Sequence, residues 1–154
     1  MKIAVTGKLP RAFCISRAAL RRAACHFASR SASRVPELGA WHGVEVHLVD
    51  NADSDAAHRG IMGIDGATDV ITQAYGAIPP EEPGIWGELF VNAQWALDHA
   101  PKRSGWSADK ELLLYVAHGM DHLSGADDFE PAQYRCMRRR ELKWIREFLE
   151  GEGL

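Results

Sequence analysis

Residues 44–49, VEVHLV, alternate apolar and polar side chains over one strand length. That is the period of a β-strand with one face buried and the other wet. The segments around it switch between this period and the helical one. KIAV at 2–5 begins a short strand that belongs at a sheet edge. Residues 14–28 suggest an amphipathic helix, in which Leu20, Ala23, Ala24 and Phe27 share a face distinct from that of Ile15, Ala19, Arg22 and His26. After VEVHLV comes a short polar helix that Asp50 or Asn51 can cap and Gly60 can end. TDVIT (68–72) and WGELFVN (86–92) read as further strands and AQWALDHA as a short helix. The order strand, helix, strand, helix, strand, strand, then helices predicts an α/β (α+β) fold. Its core is a small mixed sheet of about four strands with helices packed on it.

Punctuation supports this division. VPELGAWHG (35–43) and YGAIPPEEPG (75–84) read as loops, since Pro79 and Pro80 fit neither a helix interior nor a central strand. Ser107 can cap a helix that carries Asp109 and Glu111 in its first turn and runs to about Leu123, where Gly125 stops it. Pro131 then opens a last helix over about 130–149, with Tyr134, Met137, Trp144, Ile145 and Phe148 as an apolar stripe. With 154 residues and no repeats or low-complexity tract, residues 1–154 are expected to form one domain.

Composition excludes several classes. No apolar run approaches the ~18 residues that span a bilayer, so no membrane partner is expected. Cys14, Cys25 and Cys136 lie far apart, which excludes a cysteine zinc ribbon and suits a reducing, cytoplasmic compartment. Residues 1–36 carry eight basic side chains and no acid, whereas the remainder holds 10 basic and 21 acidic groups. This asymmetry suits either a solvated helix face or a surface that meets a polyanion. An Arg- and Ser-rich, acid-poor start also has the composition of an organellar transit peptide. The strand and helix read there argue instead for a part of the fold.

Chemistry concentrates in HGMDHLSGADD, residues 118–128. His118 and His122 are four apart on a helix, hence ~40° apart around its axis and ~6 Å along it. Both imidazoles can reach one ion from there, and Gly125 lets the chain turn back so that Asp127 or Asp128 returns to them. Two histidines and a carboxylate form a catalytic metal set that leaves a position for water. The bland alternative is a hydrogen-bonded core histidine followed by acids that cap the next helix. A zinc peptidase of the HExxH type would need glutamate where Gly119 stands. Asp121, three residues after His118, is a candidate acceptor for an imidazole N–H.

The same stretch resembles the HGxLHLxGYDH signature of the YbeY-type endoribonucleases, through His118, Gly119, His122, Leu123, Gly125 and Asp127. Two upstream segments resemble that family in the same order. One is LVDNADSDAAHRGIMGIDGATDVIT, with Arg59, Gly60, Thr68, Asp69 and Val70. The other is GELFVNAQWALDHA. The family's last motif histidine, its third metal ligand, is Asp128 here. The position before the second histidine is Asp121, and that before the acidic residue is Ala126.

The resemblance implies a metal-dependent, single-strand-specific endoribonuclease of rRNA processing, with rRNA and the small ribosomal subunit as partners. His118, His122 and Asp128 would hold one divalent ion. Zinc comes first, and the carboxylate admits manganese or iron. Arg59 would bind the scissile phosphate and, with His118, carry catalysis. The basic N-terminal segment would hold flanking backbone. The alternatives are a non-catalytic ribosome- or RNA-associated protein that keeps the fold and metal, and another metal hydrolase.

Overall fold

A computed structural model describes residues 2–32, 41–75 and 85–153 of the chain. Four strands, β1 (Lys2–Gly7), β2 (Trp41–Val49), β3 (Val70–Tyr75) and β4 (Ile85–Asn92), form one sheet in the order β1-β2-β4-β3. β1, β2 and β4 run parallel, and β3 closes the other edge antiparallel to β4. The helices are α1 (Arg17–Ala32), α2 (Asn51–Ala57), α3 (Ala93–His99), α4 (Ala108–Leu123) and α5 (Pro131–Glu152). The expected mixed sheet with packed helices is the observed architecture.

The alternation in β2 decides its faces. Val44, Val46 and Leu48 are buried in the main core, while Glu45 and His47 point to the other, wetter side. α1 buries Leu20, Ala23, Ala24 and Phe27 as its pattern required, and Ala19 joins them. Fully buried Phe27 stacks against Trp144 of α5 and meets Phe148 edge-on. Truncating such a side chain to Ala costs about 3–5 kcal/mol. α4 is the central helix: Leu112, Leu113, Val116, Ala117 and Met120 are wholly inaccessible. Its cap is the expected one, Ser107 accepting from the Lys110 N–H at 3.2 Å.

Three boundaries differ from expectation. Trp41, His42 and Gly43 extend β2 because Trp41 is buried and donates its indole N–H to the Ala28 carbonyl. The remaining residues of the two predicted loops, 35–40 and 76–84, lie outside the described residues. Gly60 does not end the helix it follows. α2 continues into a π-helical turn, His58–Met62, and stops at Gly63, whose φ of 68° is the left-handed conformation a terminating residue needs. β3 begins at Val70 and runs to Tyr75, since Thr68 and Asp69 are engaged in the turn before it: the Asp69 carboxylate accepts from the Val70 N–H and the Thr68 carbonyl from Ser54.

Candidate metal centre

The C-terminal end of α4 is held against the sheet by the absence of side chains. A Cβ on Gly119 would lie 2.7 Å from a Leu89 methyl of β4. A larger residue there, a peptidase-type glutamate included, would need the Leu89 side chain to move. His118 and His122 then project from the flank of α4 that faces the edge strand β3.

Past Leu123 the chain reverses at Gly125, with φ of 92°, a conformation disfavoured for L side chains. The Gly125 N–H bonds to the His122 carbonyl and that of Ala126 to the Asp121 carbonyl. The reversal delivers the Ala126 carbonyl to His122, whose Nδ1 lies 2.8 Å away. Two residues on, Asp128 lies with Oδ2 3.5 Å from His118 Nε2 and 3.7 Å from His122 Nε2. The two Nε2 atoms are 3.1 Å apart, with the rings nearly perpendicular. All three side chains are largely covered, with side-chain exposures of 16%, 26% and 29% for His118, His122 and Asp128.

Hydrogen bonding fixes what these atoms can do. A carbonyl only accepts, so His122 carries its proton on Nδ1. Glu141 of α5, fully buried, places a carboxylate oxygen 2.8 Å from His118 Nδ1, so that nitrogen donates as well. Each ring in its neutral form therefore presents a bare Nε2 to the other, beside a carboxylate oxygen. Three lone-pair atoms converge with no donor between them, an arrangement that needs a proton or a cation. Burial pulls the His118 pKa down. The Glu141 hydrogen bond and charge together outweigh it, and the pKa lies above the ordinary histidine value. The atoms fit a metal ion: a tetrahedral site with metal–ligand distances of ~2.0–2.1 Å has edges of about 3.3 Å. This is one of two groups among the described residues whose ligand atoms lie close enough to hold an ion.

Two supporting residues depart from expectation. Asp121 is wholly buried but does not orient an imidazole. It is clasped by Arg140 of α5, with Nε at 3.0 Å and Nη2 at 2.7 Å from Oδ2. Glu141 orients His118 instead. It lies 23 residues further along the chain on another helix, and no spacing pattern near the HxxxH pair points to it. The one available signal was an acid among the buried positions of α5, between Met137 and Trp144.

The group opens on a cleft of about 410 Å³. β3 contributes Val70, Ile71 and Thr72 to its lining, the π-helical turn Met62, and the segment after α4 Asp127 and Phe129. Arg59 stands on the same π-helical turn and is not among the lining residues. Its guanidinium pairs with Asp55 at 2.6 Å and Asp65 at 3.0 Å and is 60% exposed. The N-terminal basic residues serve packing in part. Arg22 is paired with Glu152 and Arg30 with Glu147, while Arg17 and Arg21 donate to β1 carbonyls.

A mixed sheet packed with helices, with a His-His-carboxylate group at the end of its central helix that could hold a metal ion, defines the class: a small α/β protein with a candidate metal site at that helix end. The sequence profile of the family described as Endoribonuclease YbeY matches residues 15–149. The chain belongs to that family. Among named relatives, Endoribonuclease YbeY of Rhodopirellula baltica is 37% identical over 100 residues, 64% of this chain and 50% of the relative. That of Anaeromyxobacter sp. is 34% identical over 138 residues, covering 87% and 67%. The match thus spans about half the length of the first relative and two thirds of the second. The solution structure of TM1509 from Thermotoga maritima shares the fold, with a TM-score of 0.60 and 24% identity, covering 98% of this chain and 91% of that one.

Proposed function

We propose that the chain is a metal-dependent endoribonuclease that cuts single-stranded RNA in rRNA processing; the names of its relatives support the endoribonuclease part of this reading. The observation that carries this reading is the pair of bare Nε2 atoms 3.1 Å apart, with the Asp128 carboxylate beside them. His118, His122 and Asp128 hold the ion: zinc by donor preference, with manganese or iron admitted by the carboxylate. A divalent ion bound there activates water or polarises a phosphoryl oxygen. Glu141 keeps the Nδ1 proton of His118 in place and so keeps Nε2 free to ligate. Arg59 sits one short turn from Met62 of the cleft. Its Nε is held by the exposed Asp65 and its Nη2 by Asp55, so both carboxylates must let go before its planar fork can take a phosphate oxygen pair.

The site and the core are continuous, from α1 through the sheet to α4 and α5, which supports residues 1–154 acting as one domain. Among the described residues no helix is long and apolar enough to cross a membrane. Three free cysteines suit a reducing cytoplasm. Small-subunit rRNA is the substrate class in this reading.

Elemental analysis paired with a single-stranded RNA cleavage assay tests the reading. One divalent ion per chain is expected, with His118→Ala losing ion and cleavage together. Arg59→Ala is expected to keep the ion and lose roughly 10–100-fold in turnover, the worth of a charge-assisted hydrogen bond. Cleavage by an ion-free His118→Ala protein sinks the scheme. RNA binding without cleavage under zinc, manganese and iron replaces it with a non-catalytic RNA-associated role.

A further inference from the structure

Among the described residues six large apolar side chains are exposed, Ile61, Met62, Ile64, Tyr75, Phe129 and Tyr134, and two of them stand over the His-His-Asp group. Phe129 is 85% exposed and Met62 55% exposed, and both line the cleft above the His-His-Asp group. Ile64 follows Met62 closely and is 47% exposed. Tyr134, in the first turn of α5 and five residues after Phe129, is 45% exposed. Singly scattered exposed apolar groups need no explanation, but groups gathered around a cleft mark a binding surface. Phe129 is the most exposed of them, immediately after a candidate ligand, and no packing role accounts for it.

The charge beside these groups selects the occupant. Arg138 lies over the Tyr134 ring at 5.4 Å, and its Nη1 reaches to 3.8 Å from Glu141 Oε2. Arg139, next along α5, is exposed. The Phe129 ring on the cleft and the Arg138 guanidinium near Glu141, which holds His118, therefore bring an apolar face and a cation to the same site, whose own lining is otherwise acidic through Asp69, Asp127 and Asp128. A single-stranded nucleic acid offers both base faces and phosphates, and base–aromatic stacking tolerates any base. A paired base is already stacked within its helix and offers no free face.

We propose that Phe129, with Met62 on the same cleft, stacks on an unpaired nucleobase next to the scissile phosphate and so selects single-stranded over paired RNA. The proposal rests on the nuclease reading above. It is tested on chelator-treated, metal-free protein, so that RNA is bound and not cut. The probes are an oligo(U) strand carrying one 2-aminopurine and an abasic ribose-phosphate strand of equal length. Wild-type protein is expected to quench the 2-aminopurine. Phe129→Ala is expected to bind the oligo(U) strand about tenfold more weakly, to lose the quenching, and to bind the abasic strand as before. Phe129→Trp is expected to restore affinity and quenching. Because the side chain is so exposed, the thermal melt of each variant is expected to match wild type. An equal loss on both strands, or unchanged affinity and quenching in Phe129→Ala, overturns stacking and leaves the nuclease reading standing. The second of these outcomes is also what a protein occupant of the patch would give. A wild-type protein that neither binds nor cuts RNA removes the nuclease reading and the stacking proposal with it.

Discussion

Two clusters in this molecule look alike on a distance map. One is His118, His122 and Asp128 beside α4, and the other is Glu45, His47 and Glu88 on the wetter face of the sheet. Hydrogen bonding separates them. His47 has Thr6 Oγ1 2.9 Å from Nδ1 and Glu88 Oε1 3.0 Å from Nε2. A neutral ring that donates from Nε2 and accepts at Nδ1 satisfies every atom there. Tyr75 adds its hydroxyl to Glu88. A cation entering this cluster would have to displace a proton and break good bonds. In the α4 cluster both Nδ1 atoms are already committed to the protein, and the Nε2 atoms have only each other and a carboxylate. Convergence of ligand types is common to both. What distinguishes a receptive site is that the outer hydrogen bonds leave the inner lone pairs unanswered.

The largest expected effect breaks or keeps this contrast outright. Isothermal titration of metal-free protein with zinc is expected to show one tight site. His118→Ala abolishes it, whereas His47→Ala leaves stoichiometry and affinity unchanged. A second tight site that vanishes with His47 would show that proton commitment does not discriminate between the clusters.

The next effect concerns what holds the α4 cluster in place. Asp121 and Arg140 tie α4 to α5, and Asp121 is fully buried. Asp121→Asn leaves Arg140 without its counter-charge and is expected to lower stability by roughly 2–3 kcal/mol in urea unfolding. Zinc affinity in the folded protein is expected to hold. Glu141→Gln works the other way. It keeps the shape and an acceptor for His118 but removes the charge. Its metal affinity is expected to fall about 10–100-fold, with little change in the unfolding midpoint of the metal-free protein. Should Glu141→Gln lose stability and keep metal, the residue is a core ion-pair partner of Arg138 and nothing more.

How much of this was readable in the sequence follows from chain distance. The HxxxH pair and the Gly125 bend lie within one short stretch, so local geometry exposed them and the return of Asp127 or Asp128; the choice of Asp128 rests on the family resemblance. The strand alternation in VEVHLV and the caps at Asp50 and Ser107 are local as well. Glu141 and the Asp121–Arg140 pair were not legible, because they depend on the register of α5 against α4, which no local period encodes. Asp121 looked like an imidazole partner only because it is near His118 in sequence. On the helix it turns toward α5 instead. The extension of α2 through Gly60 was equally hidden. Glycine there carries no positive φ, and the turn is held by the Asp55–Arg59 and Asp55–Gly66 bonds that arrive from both sides.

The smallest expected effect tests the wet cluster on its own terms. The Tyr75 hydrogen bond, and then those from His47, hold the Glu88 carboxyl below its ordinary value of 4.5, against the opposing effect of burial. As pH falls below that value, the unfolded chain takes up the proton first. The stabilisation is therefore complete above it and is lost as pH falls through the folded-state pKa. The same bond pushes the Tyr75 pKa up to about 12. Between 10 and that value the unfolded tyrosine loses its proton first, so stability also declines as pH rises through this window. Glu88→Gln is expected to flatten both limbs of the stability–pH profile. At neutral pH it is expected to cost under about 1 kcal/mol, the scale of a largely solvated ion pair. Urea midpoints collected from pH 3 to 11 check both limbs at once. If only the acid limb flattens, Tyr75 owes its shift to its surroundings and not to Glu88. In that case the cluster is looser than its hydrogen bonds imply and closer in character to a metal site.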